Sequence, residues 1–201
     1  VFEAMEHVAA LAQGVPCFVA GFSLGGNYAL RIARELSRRP VAGLSHVVSV
    51  SPVLNPSRAT ECVDRTVLFR YYFLKKWKWS LARKQELFPD LYDFSDLLSQ
   101  NTVLGITAKL LPRYSPFTEP EAYFNTYRLT GGALKAIPVA TTIITAEDDP
   151  VIPVDDFHGL QLNEATRLII HSRGGHNGFI ENYRLRAWYE GAMLRIFEES
   201  C

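Results

Sequence analysis

Gly21-Phe22-Ser23-Leu24-Gly25-Gly26 follows directly on a short apolar run, Cys17-Phe18-Val19-Ala20, and leads into a helical pattern from Asn27. The order is strand, tight turn, helix, with a serine at the apex. G-x-S-x-G in that setting predicts a nucleophile elbow. There the sharp turn holds the serine backbone in a strained conformation and lifts its Oγ clear of the top of a sheet. Ser23 is therefore the candidate nucleophile. Gly21 and Gly25 are expected where a Cβ would collide with the neighbouring strand or helix, because glycine alone has none. A chance glycine-rich turn competes with this reading for the motif by itself. The strand before it and the helix after it count against chance.

Outward from the elbow the pattern alternates between helix and strand. A helix is expected over Phe2–Gln13, a strand over Cys17–Ala20 and a helix over Asn27–Arg38, ended by Pro40. Strands follow at Leu44–Ser51, Ala140–Thr145 and Ala165–His171. They are rich in β-branched residues. A last helix is expected over Asn182–Phe197, with Leu185, Trp188, Tyr189, Ala192, Met193 and Ile196 at helical spacing. Such alternation implies an α/β fold with a mainly parallel sheet and helices on both faces.

Between Val53 and Pro138 the strand signals fade and the chain becomes helical and aromatic. The expected organisation is a core over 1–53, a helical cap insert over 54–137 and a second core segment over 138–201. The cap would lie over the carboxyl edge of the sheet, where ligands bind in such folds. Its segment Arg70-Tyr71-Tyr72-Phe73-Leu74-Lys75-Lys76-Trp77-Lys78-Trp79 allows two readings. One is contact with a membrane surface or a lipid substrate. The other, favoured on general grounds, is a cap helix whose aromatics pack inward while the lysines solvate its outer face.

A serine hydroxyl needs a base to take its proton, and the base needs an anion to hold its tautomer. In folds with this elbow the acid and the histidine follow the serine in that order. The strand Thr141-Thr142-Ile143-Ile144-Thr145 leads into Ala146-Glu147-Asp148-Asp149-Pro150, and Asp149 is the candidate acid, with Asp148 the alternative. Capping of a turn is the bland explanation for both. The strand Leu168-Ile169-Ile170-His171 leads into Ser172-Arg173-Gly174-Gly175-His176-Asn177-Gly178-Phe179. His176, among glycines, suits a ring that must reach Ser23, whereas His171 is expected to pack or bond locally. His7, His46 and His158 have no such context. The three ordered matches support one another.

The chain has 201 residues, 21 basic and 21 acidic, for zero formal charge, so no global field draws it to nucleic acid. Cys17, Cys62 and Cys201 are odd in number and far apart, with no metal or disulfide spacing. A reducing, cytoplasmic setting is expected, and Cys17 is expected in a buried strand. No run is long enough to span a bilayer and no signal peptide is visible. Val1-Phe2-Glu3-Ala4-Met5 reads as a helix already under way, without an initiator Met. An N-terminal truncation is therefore expected.

The segments 21–27, 146–150 and 174–180, Gly-Phe-Ser-Leu-Gly-Gly-Asn, Ala-Glu-Asp-Asp-Pro and Gly-Gly-His-Asn-Gly-Phe-Ile, together resemble the YheT-like branch of the α/β-hydrolases, the AB hydrolase 4 family. That branch includes bacterial esterases and mammalian lipid-acting relatives. The resemblance extends into the cap through Ala82-Arg83-Lys84, Phe94-Ser95-Asp96 and Tyr123-Phe124-x-x-Tyr127. It implies the α/β-hydrolase fold, a Ser23, Asp149, His176 triad and hydrolysis of carboxylic esters, short-chain or lipid. The backbone N–H of Leu24 is the one oxyanion-hole donor to assign. The family's upstream His-Gly loop, which supplies another, and the strands that start the sheet are not in this chain. Loss of one such donor typically costs about two to three orders of magnitude in rate. The 201 residues alone are accordingly expected to be weakly active or inactive, and prone to aggregate. No metal or organic cofactor is implied, and the expected partner is a small ester or lipid substrate. A non-catalytic protein of the same fold, or one that binds lipid at a membrane surface, is the alternative. Acyl length, head group and oligomeric state are unread.

Overall fold

A computed structural model describes residues 1–200, which divide into two compact units, 1–54 with 129–200, and 55–128. The first unit carries four parallel strands, β1 (Cys17–Phe22), β2 (Leu44–Val50), β3 (Ala140–Ala146) and β4 (Thr166–His171), in the order β1-β2-β3-β4. Parallel neighbours need crossovers. Helix α2 (Leu24–Glu35) makes the first and the short α8 (Asp155–His158) lies in the last. The middle connection contains the whole second unit. Because all four strands run the same way, the chain leaves β1, β3 and β4 at one edge of the sheet. The elbow, the acid loop and the histidine loop all start there.

The burial pattern follows the strand positions. β2 and β3 lie in the middle of the sheet, and every residue from Val47 to Val50 and from Thr141 to Ala146 is buried, as in strands covered on both faces. Val48, Val50, Ile144, Ala146 and Phe179 form one buried cluster. Helix α9 (Trp188–Glu199) lays Trp188, Tyr189, Met193, Ile196 and Phe197 against it. Each large aliphatic side chain so buried contributes about 1.5–3 kcal/mol relative to exposure. β1 is an edge of the sheet, and Cys17 on it is only half-buried rather than enclosed as its strand position suggested.

Several boundaries differ from the sequence reading, each for a local reason. Helix α2 begins at Leu24, directly after Ser23, because the elbow turns straight into the helix without a linker. Residues 182–187 are not helical. The Asn182 side chain accepts from the N–H groups of Arg184 and Arg186, Leu185 sits at φ +58° and is 73% exposed, and α9 starts at Trp188. The first unit resumes at Leu129 rather than at 138, since the Leu129 N–H donates to the Leu54 carbonyl at 2.8 Å and Leu134 and Ile137 are fully buried.

Of the elbow glycines, Gly21 is crowded as expected and Gly25 is not. A Cβ on Gly21 would strike the carbonyl oxygen of Gly25. A Cβ on Gly26 would lie 2.8 Å from Ser49 Oγ and 3.1 Å from Pro52 Cα, whereas Gly25 faces open space. The crowded pair is thus Gly21 and Gly26. Gly21→Ala is expected to lower unfolding free energy by about 1–3 kcal/mol through overpacking. Gly25→Ala should leave it unchanged or raise it by up to about 1 kcal/mol, since alanine is the better helix former. Urea denaturation of the two variants tests this difference.

The second unit is helical: α3 (Pro56–Arg65), α4 (Val67–Leu87), α5 (Ser95–Leu98), α6 (Val103–Tyr114) and α7 (Pro120–Asn125). Asn55 caps α3 by accepting from Arg58 N–H, with Pro56 at the first helical position. The Asp64 carboxylate, in α3, accepts from the N–H groups of Val103 and Leu104, at 2.7 and 3.0 Å, and so caps α6 from outside. Its core is Leu81, Phe94, Leu97 and Ile106. The expected inward packing of the α4 aromatics holds for Trp77 but not for Tyr71, Tyr72 or Trp79, which are exposed.

Candidate active site

The elbow is held by the sheet itself. Ser23 N–H donates to the Val50 carbonyl at 2.9 Å, so the ladder between β1 and β2 runs one residue into the turn. The Ser23 carbonyl accepts from Asn27 N–H and Val53 N–H, at 3.1 and 3.2 Å. Asn27 is buried, and its amide donates to the Val53 carbonyl at 2.7 Å. With both peptide groups tied, Ser23 stays at φ +52°, ψ −118°, a conformation that costs a non-glycine residue about 1–3 kcal/mol and persists only where the surroundings enforce it.

The acid loop is held in the same way. Glu147 N–H donates to the His171 carbonyl at 2.8 Å, continuing the ladder between β3 and β4. Asp149 follows, with its side chain fully shielded from solvent. Its Oδ1 accepts from the N–H groups of Val151 and Ile152 at 2.8 and 3.0 Å, and its Oδ2 faces His176 Nδ1 at 2.9 Å. On the other side of the ring, His176 Nε2 lies 2.9 Å from Ser23 Oγ. Residues separated by 153 and 27 positions thus form a continuous hydrogen-bonded line, Asp149 to His176 to Ser23. With Asp149 ionised, the neutral ring carries its proton on Nδ1 and offers the Nε2 lone pair to the serine.

Asp148 has a different place. Its Oδ1 accepts from Gly174 N–H and Gly175 N–H, both at 2.8 Å, and these bonds, Gly175 foremost, hold its carboxyl below the usual carboxylate range. The paired aspartates divide the work: Asp149 meets the ring, and Asp148 pins the backbone that carries it. The pin was not legible in the sequence, where the two acids competed for one role. The double acid beside a Gly-Gly-His loop was the available signal. Gly174 is required by packing, since a Cβ there would lie 2.6 Å from the Phe179 ring and 2.8 Å from Ala146 Cβ.

The other histidines stand apart from the line. His171 packs its ring on Trp188 and Phe179, at centroid distances of 4.1 and 5.6 Å. His46 bonds Thr142 and Ser200, and burial lowers its pKa. Leu24, the candidate oxyanion donor, is the first residue of α2, and a first-turn N–H has no partner within its own helix. Among the described residues no group of three or more His, Cys, Asp and Glu is placed to hold a metal ion.

Residues 2–186 match the model of the Alpha/beta hydrolase family. The chain belongs to that family. Within it, the chain is 28% identical to Protein abhd-3.2 of Caenorhabditis elegans over 169 residues, which is 81% of this chain and 44% of that one. It therefore spans less than half the length of this curated relative. Solved alpha/beta hydrolases share the fold at low identity. A hydrolase from Bacillus anthracis str. Sterne superposes with a TM-score of 0.55 at 15% identity, over 100% of this chain and 72% of that one. A meta-cleavage product hydrolase from Pseudomonas fluorescens gives 0.52 at 17%, over 96% and 69%. A monoacylglycerol lipase from Paleococcus ferrophilus gives 0.50 at 16%, over 98% and 72%.

Proposed function

We propose that this alpha/beta hydrolase is a serine hydrolase that cleaves carboxylic esters, with Ser23 as nucleophile, His176 as general base and then acid, and Asp149 as the orienting carboxylate. The observation that carries the reading is the unbroken line of 2.9 Å contacts from a buried carboxylate through an imidazole to a serine on a strained elbow. We further place the chain in the YheT-like branch, on its Asp-Asp-Pro and Gly-Gly-His-Asn-Gly-Phe loops. The lipase among its structural likenesses and the three-motif pattern favour esters of fatty acids or glycerolipids as substrates.

Ser23 Oγ attacks the ester carbonyl carbon as its proton passes to His176 Nε2. The imidazolium is stabilised across 2.9 Å by the Asp149 carboxylate, whose other oxygen accepts from the Val151 and Ile152 N–H groups. The carbonyl oxygen gains negative charge beside the amino end of α2, where the Leu24 N–H and the helix dipole favour an anion. His176 returns its proton to the leaving alcohol, which leaves an acyl ester on Ser23. Water then attacks the acyl carbon as its proton passes to His176, and His176 returns that proton to Ser23 Oγ as the serine–acyl bond breaks and the acid departs.

The test is hydrolysis of p-nitrophenyl esters of graded acyl length and of matched amides by the intact protein, with Ser23→Ala as control. Ester turnover that vanishes in the variant is the expected result. Turnover that survives it, or none on any ester, would overturn the proposal.

The pin on the histidine loop gives a further prediction. Asp148→Ala is expected to lower kcat by up to about a hundredfold with little change in KM, because a displacement near 1 Å costs that much. Asp148→Asn keeps an acceptor oxygen for Gly174 and Gly175 and should retain most of the rate. The sign with pH is fixed by the depressed pKa. The charge-assisted part of the anchor is fully present above the unfolded carboxylate value of about 3.9 and fades as pH falls through the lower folded value. Steady-state kinetics of both variants checks this.

A further inference from the structure

Helix α4 (Val67–Leu87) is the longest among the described residues, and of its 21 residues only Leu81 is buried. Its inward stripe, Leu74, Trp77 and Leu81, packs on Phe94, Leu97 and Ile106 within the second unit. At 3.6 residues per turn Val67, Tyr71, Lys75, Leu68, Trp79 and Tyr72 fall into one arc of roughly 140°, which starts beside Leu74 and also takes in Lys78 and, near the far end of the helix, Glu86. These side chains are open to solvent, Leu68 at 73% and Trp79 at 70%. A soluble protein gains nothing by leaving such a row in water.

Charge and side-chain type indicate what covers it. In a chain of balanced charge, α4 carries Arg70, Lys75, Lys76, Lys78, Arg83 and Lys84 against one acid, Glu86, which pairs with Arg83 at 2.7 Å. Lys75 lies in the middle of the apolar arc, its ammonium 5.9 Å from the Tyr71 ring centroid, and Lys76 stands 6.0 Å from that of Tyr72. A protein interface excludes charge from its centre. A lipid headgroup layer accommodates this mixture. Tyr and Trp place an apolar ring below and a polar tip above, and lysines lay their stems on the acyl boundary while the ammonium reaches lipid phosphate. No helix among the described residues is long and apolar enough to cross a membrane.

We propose that the exposed face of α4 is a docking surface for an anionic lipid bilayer, with Leu68, Tyr72 and Trp79 entering the interface and Lys75, Lys76 and Lys78 engaging acidic headgroups. The proposal is independent of the hydrolase reading, and Ser23→Ala should bind vesicles as the wild type does.

The experiment is co-sedimentation of the intact protein with phosphatidylcholine vesicles, with and without phosphatidylserine, over a range of salt. Binding is expected to require phosphatidylserine and to weaken as salt rises. The triple variant Lys75→Glu, Lys76→Glu, Lys78→Glu should lose about a hundredfold in affinity, from about 1 kcal/mol per lysine. Leu68→Ser with Trp79→Ser should lose most of the remaining binding. All these positions are surface sites, and unchanged thermal unfolding of the variants shows that the fold is kept. No binding to anionic vesicles, or binding unaltered by both sets of substitutions, overturns the proposal. So does a dimer in sedimentation analysis that Leu68→Ser with Trp79→Ser dissolves, which would assign the face to a second copy of the chain.

Discussion

Ser23→Ala is expected to lower kcat on a hydrolysed ester by about a millionfold, and adding His176→Ala to it should cost almost nothing more. The reason is the shared proton. His176 Nε2 sits 2.9 Å from Ser23 Oγ, and the water it later deprotonates attacks only the acyl group carried by that serine, so without the nucleophile the imidazole has no step to serve. Two side chains that acted separately would give multiplying losses. Here each single variant removes the same step. Single-turnover measurement of Ser23→Ala, His176→Ala and the double variant distinguishes the two cases. Multiplicative losses would mean that the contact in the structure is not the one used in the reaction.

The second large effect belongs to Asp149, and its direction turns on one atom. Asp149→Asn keeps the size of the side chain and an oxygen able to accept from Val151 and Ile152 N–H. It also aims an amide N–H at His176 Nδ1, where a carboxylate oxygen now lies at 2.9 Å. Nδ1 must then accept rather than donate, the ring proton moves to Nε2, and the lone pair that should receive the Ser23 proton is gone. A loss of about ten-thousandfold in kcat is expected from this change of tautomer, with the fold intact. Asp148→Asn should cost far less, since Asp148 meets only backbone N–H groups. Equal losses in the two variants, read from kcat and thermal unfolding together, would contradict this division between neighbouring aspartates.

The elbow, the order of serine, acid and histidine, and the parallel sheet were legible because each rests on a short local pattern. A G-x-S-x-G turn between strand and helix, acids directly after one strand and a glycine-flanked histidine directly after another each needed only nearby residues. Most of what escaped the sequence depended on residues distant in the chain, and one element was lost to a local side-chain contact. Gly26, not Gly25, is the crowded glycine, because the atoms it meets come from Ser49 and Pro52. Asp148 pins the histidine loop through groups 26 and 27 positions away. Residues 182–187 carry helical spacing, yet the Asn182 side chain captures their N–H groups and turns Leu185 outward. On α4 the periodic pattern could not say which aromatics face the core. The apolar residues lie almost all round the helix, and only packing against Phe94 and Ile106 selected Trp77.

The most direct test of the central claim is mass spectrometry of the intact protein after reaction with a fluorophosphonate, which forms a stable phosphonyl ester with a serine made nucleophilic by its base. The account predicts one adduct, on the peptide containing Ser23, abolished by Ser23→Ala and strongly slowed by His176→Ala. A folded protein that takes up no phosphonate, or takes it up elsewhere with equal speed in both variants, would contradict it.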